Sequence, residues 1–133
     1  MKNTPKSGRK HSADMKFVLT MTEEQAKICA AACEFYARVR MGQFEEITHN
    51  LMMGQKLDET WCERRDIADQ CLLAARKAIY PDLTGPGHSY GIAKFEDADA
   101  SFDVYQALRE KFPWDGRPTF SYNDVPKCEV EDD

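Results

Sequence analysis

No apolar run in this 133-residue chain approaches the ~20 residues that a helix needs to cross a bilayer. The basic start of the chain also lacks the apolar stretch of a secretion signal, so the expected setting is the cytoplasm, with no membrane as partner. An excess of positive charge is missing too. The formal net charge of -5 argues against nucleic acid as a partner, since binding to a phosphate backbone needs a basic surface. Histidine is scarce, with only His11, His49 and His88. The chain holds five cysteines, Cys29, Cys33, Cys62, Cys71 and Cys128, and so lacks the even set of a disulfide framework. Four of these fall on predicted helices at apolar-face positions, which reads as reduced core thiols.

What is present is enough for one core: 42% of residues are hydrophobic and 11% aromatic. Residues 1–14 carry Pro5, Gly8 and several lysines without apolar periodicity, and are expected to be a flexible basic leader. A single globular α+β domain is expected over 15–126, followed by an acidic tail over 127–133. Lys16 to Met21 reads as a strand. Thr22 and Gln25 then make a capping box, with Glu23 and Glu24 suited to the positive end of a helix dipole.

From there Cys29, Ala32, Cys33, Tyr36 and Val39 recur at helical spacing, and Phe44, Ile47 and Leu51 extend the pattern past Gly42. Unbroken from Thr22 to Met53, this helix would approach ~45 Å, longer than the ~30 Å width of a small domain. Either Gly42 breaks it or its length packs on another subunit, which makes a homo-oligomer an expectation. A second helix is predicted from the cap candidate Asp58 to Tyr80, where Pro81 stops it. Trp61, Ile67, Ala68, Cys71, Leu72, Ala75 and Ile79 mark its inner side, and Glu63, Arg64, Arg65, Asp66 and Asp69 its wet side. A third helix is predicted over about 97–112, with Phe102, Tyr105, Leu108 and Phe112 inward. Thr119 to Tyr122 alternates at strand period and is expected to pair with the first strand. The fold class is therefore α+β and mainly helical, with about three helices and a small two-stranded antiparallel sheet, which needs helices on one face.

Chemistry-bearing patterns are incomplete. Glu46-x-x-His49 is half of a dimetal carboxylate motif without its second half, and Cys29 with Cys33 has no second Cys/His pair for zinc, so neither metal nor cofactor is expected. His88-Ser89 lies in a glycine loop but lacks the Gly-x-Ser-x-Gly elbow, and no Walker or dinucleotide fingerprint occurs. The loop from Gly85 to Gly91 is the segment richest in binding groups. Glycines at 85 and 87 let backbone amides approach an anion, and His88, Ser89 and Tyr90 add hydrogen bonds and a stacking face. Trp114 and Arg117 add a second stacking surface and a phosphate partner if the fold brings them near. Gly85, Gly87, His88, Ser89, Tyr90, Trp114 and Arg117 are thus the candidate site for a nucleotide-like ligand. The competing reading is a plain Gly-Pro turn with Tyr90 packed in the core.

Met41-Gly42-Gln43-Phe44-Glu45-Glu46-Ile47, His88-Ser89-Tyr90-Gly91-Ile92 and Asp103-Val104-Tyr105-Gln106-Ala107-Leu108-Arg109, followed by Trp114-Asp115, occur here in that order. Together they resemble a family of small uncharacterised phage and prophage proteins, over about nine-tenths of the chain. The resemblance implies a bacterial host cytoplasm and an accessory role, with no catalytic residues to carry over. The expected function is non-catalytic binding of a host protein or a small nucleotide-like ligand, with counter-defence as the setting. Two alternatives stand beside it: a small hydrolase using His88, and a protein-protein inhibitor working through the charged face of the second helix.

Overall fold

The computed structural model of the chain describes residues 15–112 and 126–132. Among these residues, strand β1, Met15–Thr20, is followed by four helices and a closing strand. The helices are α1, Glu23–Arg40; α2, Glu45–Met52; α3, Trp61–Ile79; and α4, Glu96–Arg109. The closing strand is β2, Lys127–Asp132, antiparallel to β1 with Phe17 opposite Val130 and Leu19 opposite Cys128. This is the expected mainly helical α+β fold with a two-stranded antiparallel sheet. Among the described residues no helix is long and apolar enough to cross a membrane.

Helix α1 begins as its sequence requires. Thr22 Oγ1 accepts from the Gln25 amide at 3.2 Å, and Gln25 Oε1 accepts from the Thr22 amide at 3.0 Å, satisfying donors that would otherwise be orphaned. Its end explains the fourth helix. Gly42 takes φ +97°, its amide donates to Val39 O at 2.9 Å, and the Gln43 amide donates to Arg38 O at 2.9 Å. These paired bonds across a left-handed glycine form a Schellman stop. Arg38 also donates to Gln43 Oε1 at 3.1 Å, tying the stop to the helix it ends. The break option was therefore taken, and the overlong helix that motivated an oligomer does not exist. Met41 to Phe44 serves folding here.

Asp58 is not the cap of α3 but lies two residues before Thr60, which holds that position. Its Oδ1 accepts from the Thr60 amide at 2.9 Å and from Thr60 Oγ1 at 2.8 Å, so it shapes the approach to the helix. Pro81 follows the C-cap Tyr80, as expected. Helix α4 presents Phe102, Tyr105 and Leu108 on its half-buried side, in the predicted phase.

Residues 127–132, read as part of an acidic tail over 127–133, form β2 instead. Thr119 to Tyr122, expected to pair with the first strand, lies outside the described residues. Among the described residues, helices do not cover the sheet, since Phe17 is 66% exposed and Val130 53% exposed.

The body is held by α1 packed on α4 and α2 packed on α3. Ala30, Ala37 and Ala98 are buried where α1 meets α4, small enough for the helix backbones to approach closely. Ser101 Oγ donates to Cys33 O at 2.7 Å across the same contact. Phe44, Met52 and Leu83 are the large buried apolar side chains.

The phase of α3 differs from the sequence reading. Ile67 and Ile79 are 57% and 59% exposed, and Cys71 and Ala75 are exposed with them. The inner face is Trp61, Ala68, Leu72, Leu73 and Arg76, which again recur at helical spacing, with Arg65 and Asp69 half-exposed at its border. Apolar residues occur on both sides of α3, so periodicity alone does not choose between them. A buried arginine makes the choice.

Candidate functional site

Arg76 is 1% exposed and is the largest fully buried side chain among the described residues. Its guanidinium holds the glycine loop by the main chain. Nη1 donates to His88 O at 2.6 Å and to Pro86 O at 3.2 Å, and Nη2 donates to Gly85 O. A buried charge needs compensation, and here it comes from carbonyl dipoles, since none of the described ion pairs includes Arg76.

This arrangement reverses the orientation that the sequence suggests for an anion site. The loop turns carbonyls inward to a cation, and several of its amides are already engaged. His88 N donates to Gly85 O at 3.1 Å, Gly85 N donates to His88 Nδ1 at 3.3 Å, and Tyr90 N donates to Met41 O at 2.8 Å. A Cβ built at Gly87 meets nothing within 4 Å, and neither Gly85 nor Gly87 has a positive φ. Their glycines are not demanded by backbone conformation. Gly42 differs, since a Cβ there would lie 2.5 Å from Leu83 Cδ1 at a φ that side chains rarely adopt.

Tyr90 is packed in an aromatic cluster. Its ring meets Tyr80 edge-on at 5.2 Å and Phe95 edge-on at 5.4 Å, and Phe44 adds a further contact to Tyr80 at 6.2 Å. Burial and the nearby Asp82 carboxylate push the Tyr90 phenol above its ordinary value of 10.0. His88 and Ser89 are exposed on the loop, and Trp114 and Arg117 lie outside the described residues. The fold thus joins Gly85, Gly87, His88, Ser89 and Tyr90 in one turn, with Tyr90 facing the core.

Beside the loop, Arg40 joins three elements. Its Nε donates to Asp97 Oδ2 at 3.1 Å, its Nη1 donates to Tyr80 Oη at 2.8 Å, and its guanidinium lies 3.8 Å from the Phe95 ring centre. Tyr36 Oη donates to the same Asp97 oxygen at 2.6 Å. That hydrogen bond, followed by the Arg40 contact, holds Asp97 below its ordinary carboxylate value.

Sequence reasoning missed a cleft of about 260 Å³ between α2, α3 and the loop. Phe44, Leu72 and Leu73 give it apolar walls, Pro86 brings the loop to its edge, and Asp69, Glu45 and Arg76 supply its polar groups. Arg76 Nε and Asp69 Oδ1 are each shut off from solvent without a hydrogen-bond partner among the described residues. The signal was Asp69, Leu72, Leu73 and Arg76 recurring on one helix face, with Asp69 at its half-exposed border.

The thiols are free, with Cys29 and Cys33 half-buried and Cys62, Cys71 and Cys128 exposed. The reading of core thiols at all four helical positions is therefore corrected for Cys62 and Cys71. Burial, reinforced by Cys33, pushes the Cys29 thiol above 9.0, away from the reactive range. Comparison with known proteins finds no matching family model, no matching curated protein and no matching solved structure.

Proposed function

We propose that the chain is a phage-type accessory protein that acts by binding a protein partner without catalysis, in a counter-defence setting inside the host bacterium. The observation that carries this reading is the outer face of α3. Ile67, Cys71, Ala74 and Ala78 recur there at helical spacing, all exposed and opposite the side that holds Arg76. An amphipathic helix that turns a second apolar stripe outward gains stability by covering it. Exposed Glu63, Arg64 and Lys77 lie near the stripe and form a polar rim, which extends the idea of a charged working face.

A hydrolase at His88 gains less support. Its Nδ1 faces the Gly85 amide and lies 3.5 Å from Thr84 Oγ1, and none of the described hydrogen bonds joins it to a serine or cysteine nucleophile. The test is native mass spectrometry and light scattering of protein purified from its bacterial host, beside an Ile67→Asp, Cys71→Asp double variant. A stoichiometric partner or second copy that is lost in the folded double variant supports the reading. Wild-type protein that runs alone as a monomer overturns it.

A further inference from the structure

We infer that the outer face of α3 takes a second copy of this chain, with the two α3 helices packed antiparallel about a twofold axis beside Gln70. The inference rests on the reading of that face as a protein-binding surface and names its occupant.

The case begins with a row of polar residues. Glu63, Gln70 and Lys77 follow one another at a spacing of seven, so they line up along α3 two turns apart. All three are exposed, and the row borders the stripe of Ile67, Cys71, Ala74 and Ala78. Along the helix the row reads acid, amide, base. An antiparallel twofold through Gln70 sets Glu63 against Lys77 of the second copy, and Lys77 against its Glu63. Gln70 then meets Gln70 of the second copy, and an amide can both donate and accept. One operation answers every group in the row, as an isologous contact requires.

These groups are also unclaimed inside the chain. No ion pair or side-chain hydrogen bond among the described residues uses Glu63, Gln70 or Lys77. The other cations of α3 are engaged: Arg64 by Gln55 and Thr60, Arg65 by Asp69, and Arg76 by the loop carbonyls. Lys77 is left for an acid from outside.

The apolar stripe fits the same register. Ile67 falls beside Cys71 of the second copy, and Ala74 beside its Arg64, whose guanidinium is drawn aside to Gln55 Oε1 at 3.2 Å. Side chains as small as these let helix axes approach to the close end of the ~8–10 Å range. Parallel pairing would instead set Glu63 against Ala68 and Gln70 against Ala75, leaving the acid unanswered. Charge therefore selects the antiparallel orientation. With 19 residues, α3 offers ~28 Å of contact, less than the ~1,000 Å² that a tight interface clears, so the dimer is weak and exchanges with monomer.

The experiment is sedimentation equilibrium of the full chain from about 1 to 300 µM, where half-association is expected at about 10–100 µM. Glu63→Lys makes the row basic and Lys77→Glu makes it acidic. Each should weaken self-association about tenfold at low salt, by an amount that shrinks as salt is raised. An equal mixture of the two variants should associate at least as strongly as wild type, because every contact in the row again joins opposite charges. Unchanged circular dichroism and melting within a few degrees of wild type establish that each variant is folded. Wild-type chain that stays monomeric at 300 µM overturns the second copy as occupant; a foreign protein still lost from the Ile67→Asp, Cys71→Asp variant would uphold the docking face itself. A dimer indifferent to both charge variants, or a mixture no stronger than its components, places the contact on another face and equally overturns the inference.

Discussion

The helical body and the β-ribbon solve the same problem in opposite ways. In the body, few large apolar side chains are buried, and order comes from directed ties: Arg76 to the loop carbonyls, Arg40 to Asp97 and Tyr80, and Tyr36 to Asp97. In the ribbon, ladder hydrogen bonds join β1 to β2, while Phe17 and Leu19 share an exposed face with Val130 and Cys128. Lys16 and Val18 face the other way with Glu131 and Glu129. A two-stranded ribbon is marginal alone in water, and among the described residues Phe17, Val18, Leu19 and Val130 stay exposed on it. The body is specified from within, whereas the ribbon, among the described residues, is held by its own ladder.

Gly42 tests the body most severely. Gly42→Ala places a Cβ 2.5 Å from Leu83 Cδ1 on a backbone at φ +97°, combining conformational strain with overpacking. The expected loss is about 3 kcal/mol in denaturant melts, from ~1–2 for a left-handed alanine and ~1–3 for the clash. A loss below about 1 kcal/mol would show a body able to relax, which erases the contrast.

The acid limb should give a smaller effect. Asp97 and Asp58 are both held below their ordinary 3.8, Asp97 first by the Tyr36 hydroxyl and Asp58 first by Thr60. A carboxylate whose folded pKa is depressed stabilises the fold above the unfolded value and loses that contribution as pH falls through the folded one. Thermal midpoints should therefore be flat above pH 5 and fall below about pH 3.8. Asp97→Asn should shrink this fall, and an unchanged acid limb would place the linkage elsewhere.

The ribbon should respond least. Phe17→Ser and Val130→Ser are expected to change the stability of the isolated chain by no more than about 0.5 kcal/mol, as exposed substitutions do. A cost above about 2 kcal/mol would mean that the ribbon is integral to the body.

The sequence carried the same asymmetry. Local signals were legible: the Thr22 to Gln25 capping box, the stop before Pro81, the phase of α4, and a break near Gly42 as one of two outcomes. Signals that depend on what lies across the fold were not. Ile67 and Cys71 looked internal because they are apolar, yet Arg76 took the core side by finding carbonyls that no periodicity reveals. Residues 127–132 looked like a tail because Glu129 and Glu131 are charged, but alternation with Cys128 and Val130 is also strand patterning. The five loop residues of the candidate site were found together, but the cleft behind them depends on which face of α3 packs inward.

Arg76 reads the loop through main-chain oxygens, which every amino acid supplies. Chain path is then under constraint at 85–88, while side-chain identity is freest at Gly87, which has open space where a Cβ would stand; the His88 ring also accepts from the Gly85 amide. Such a loop can drift in composition, or be swapped for another of equal length and trace, without disturbing the helix that anchors it.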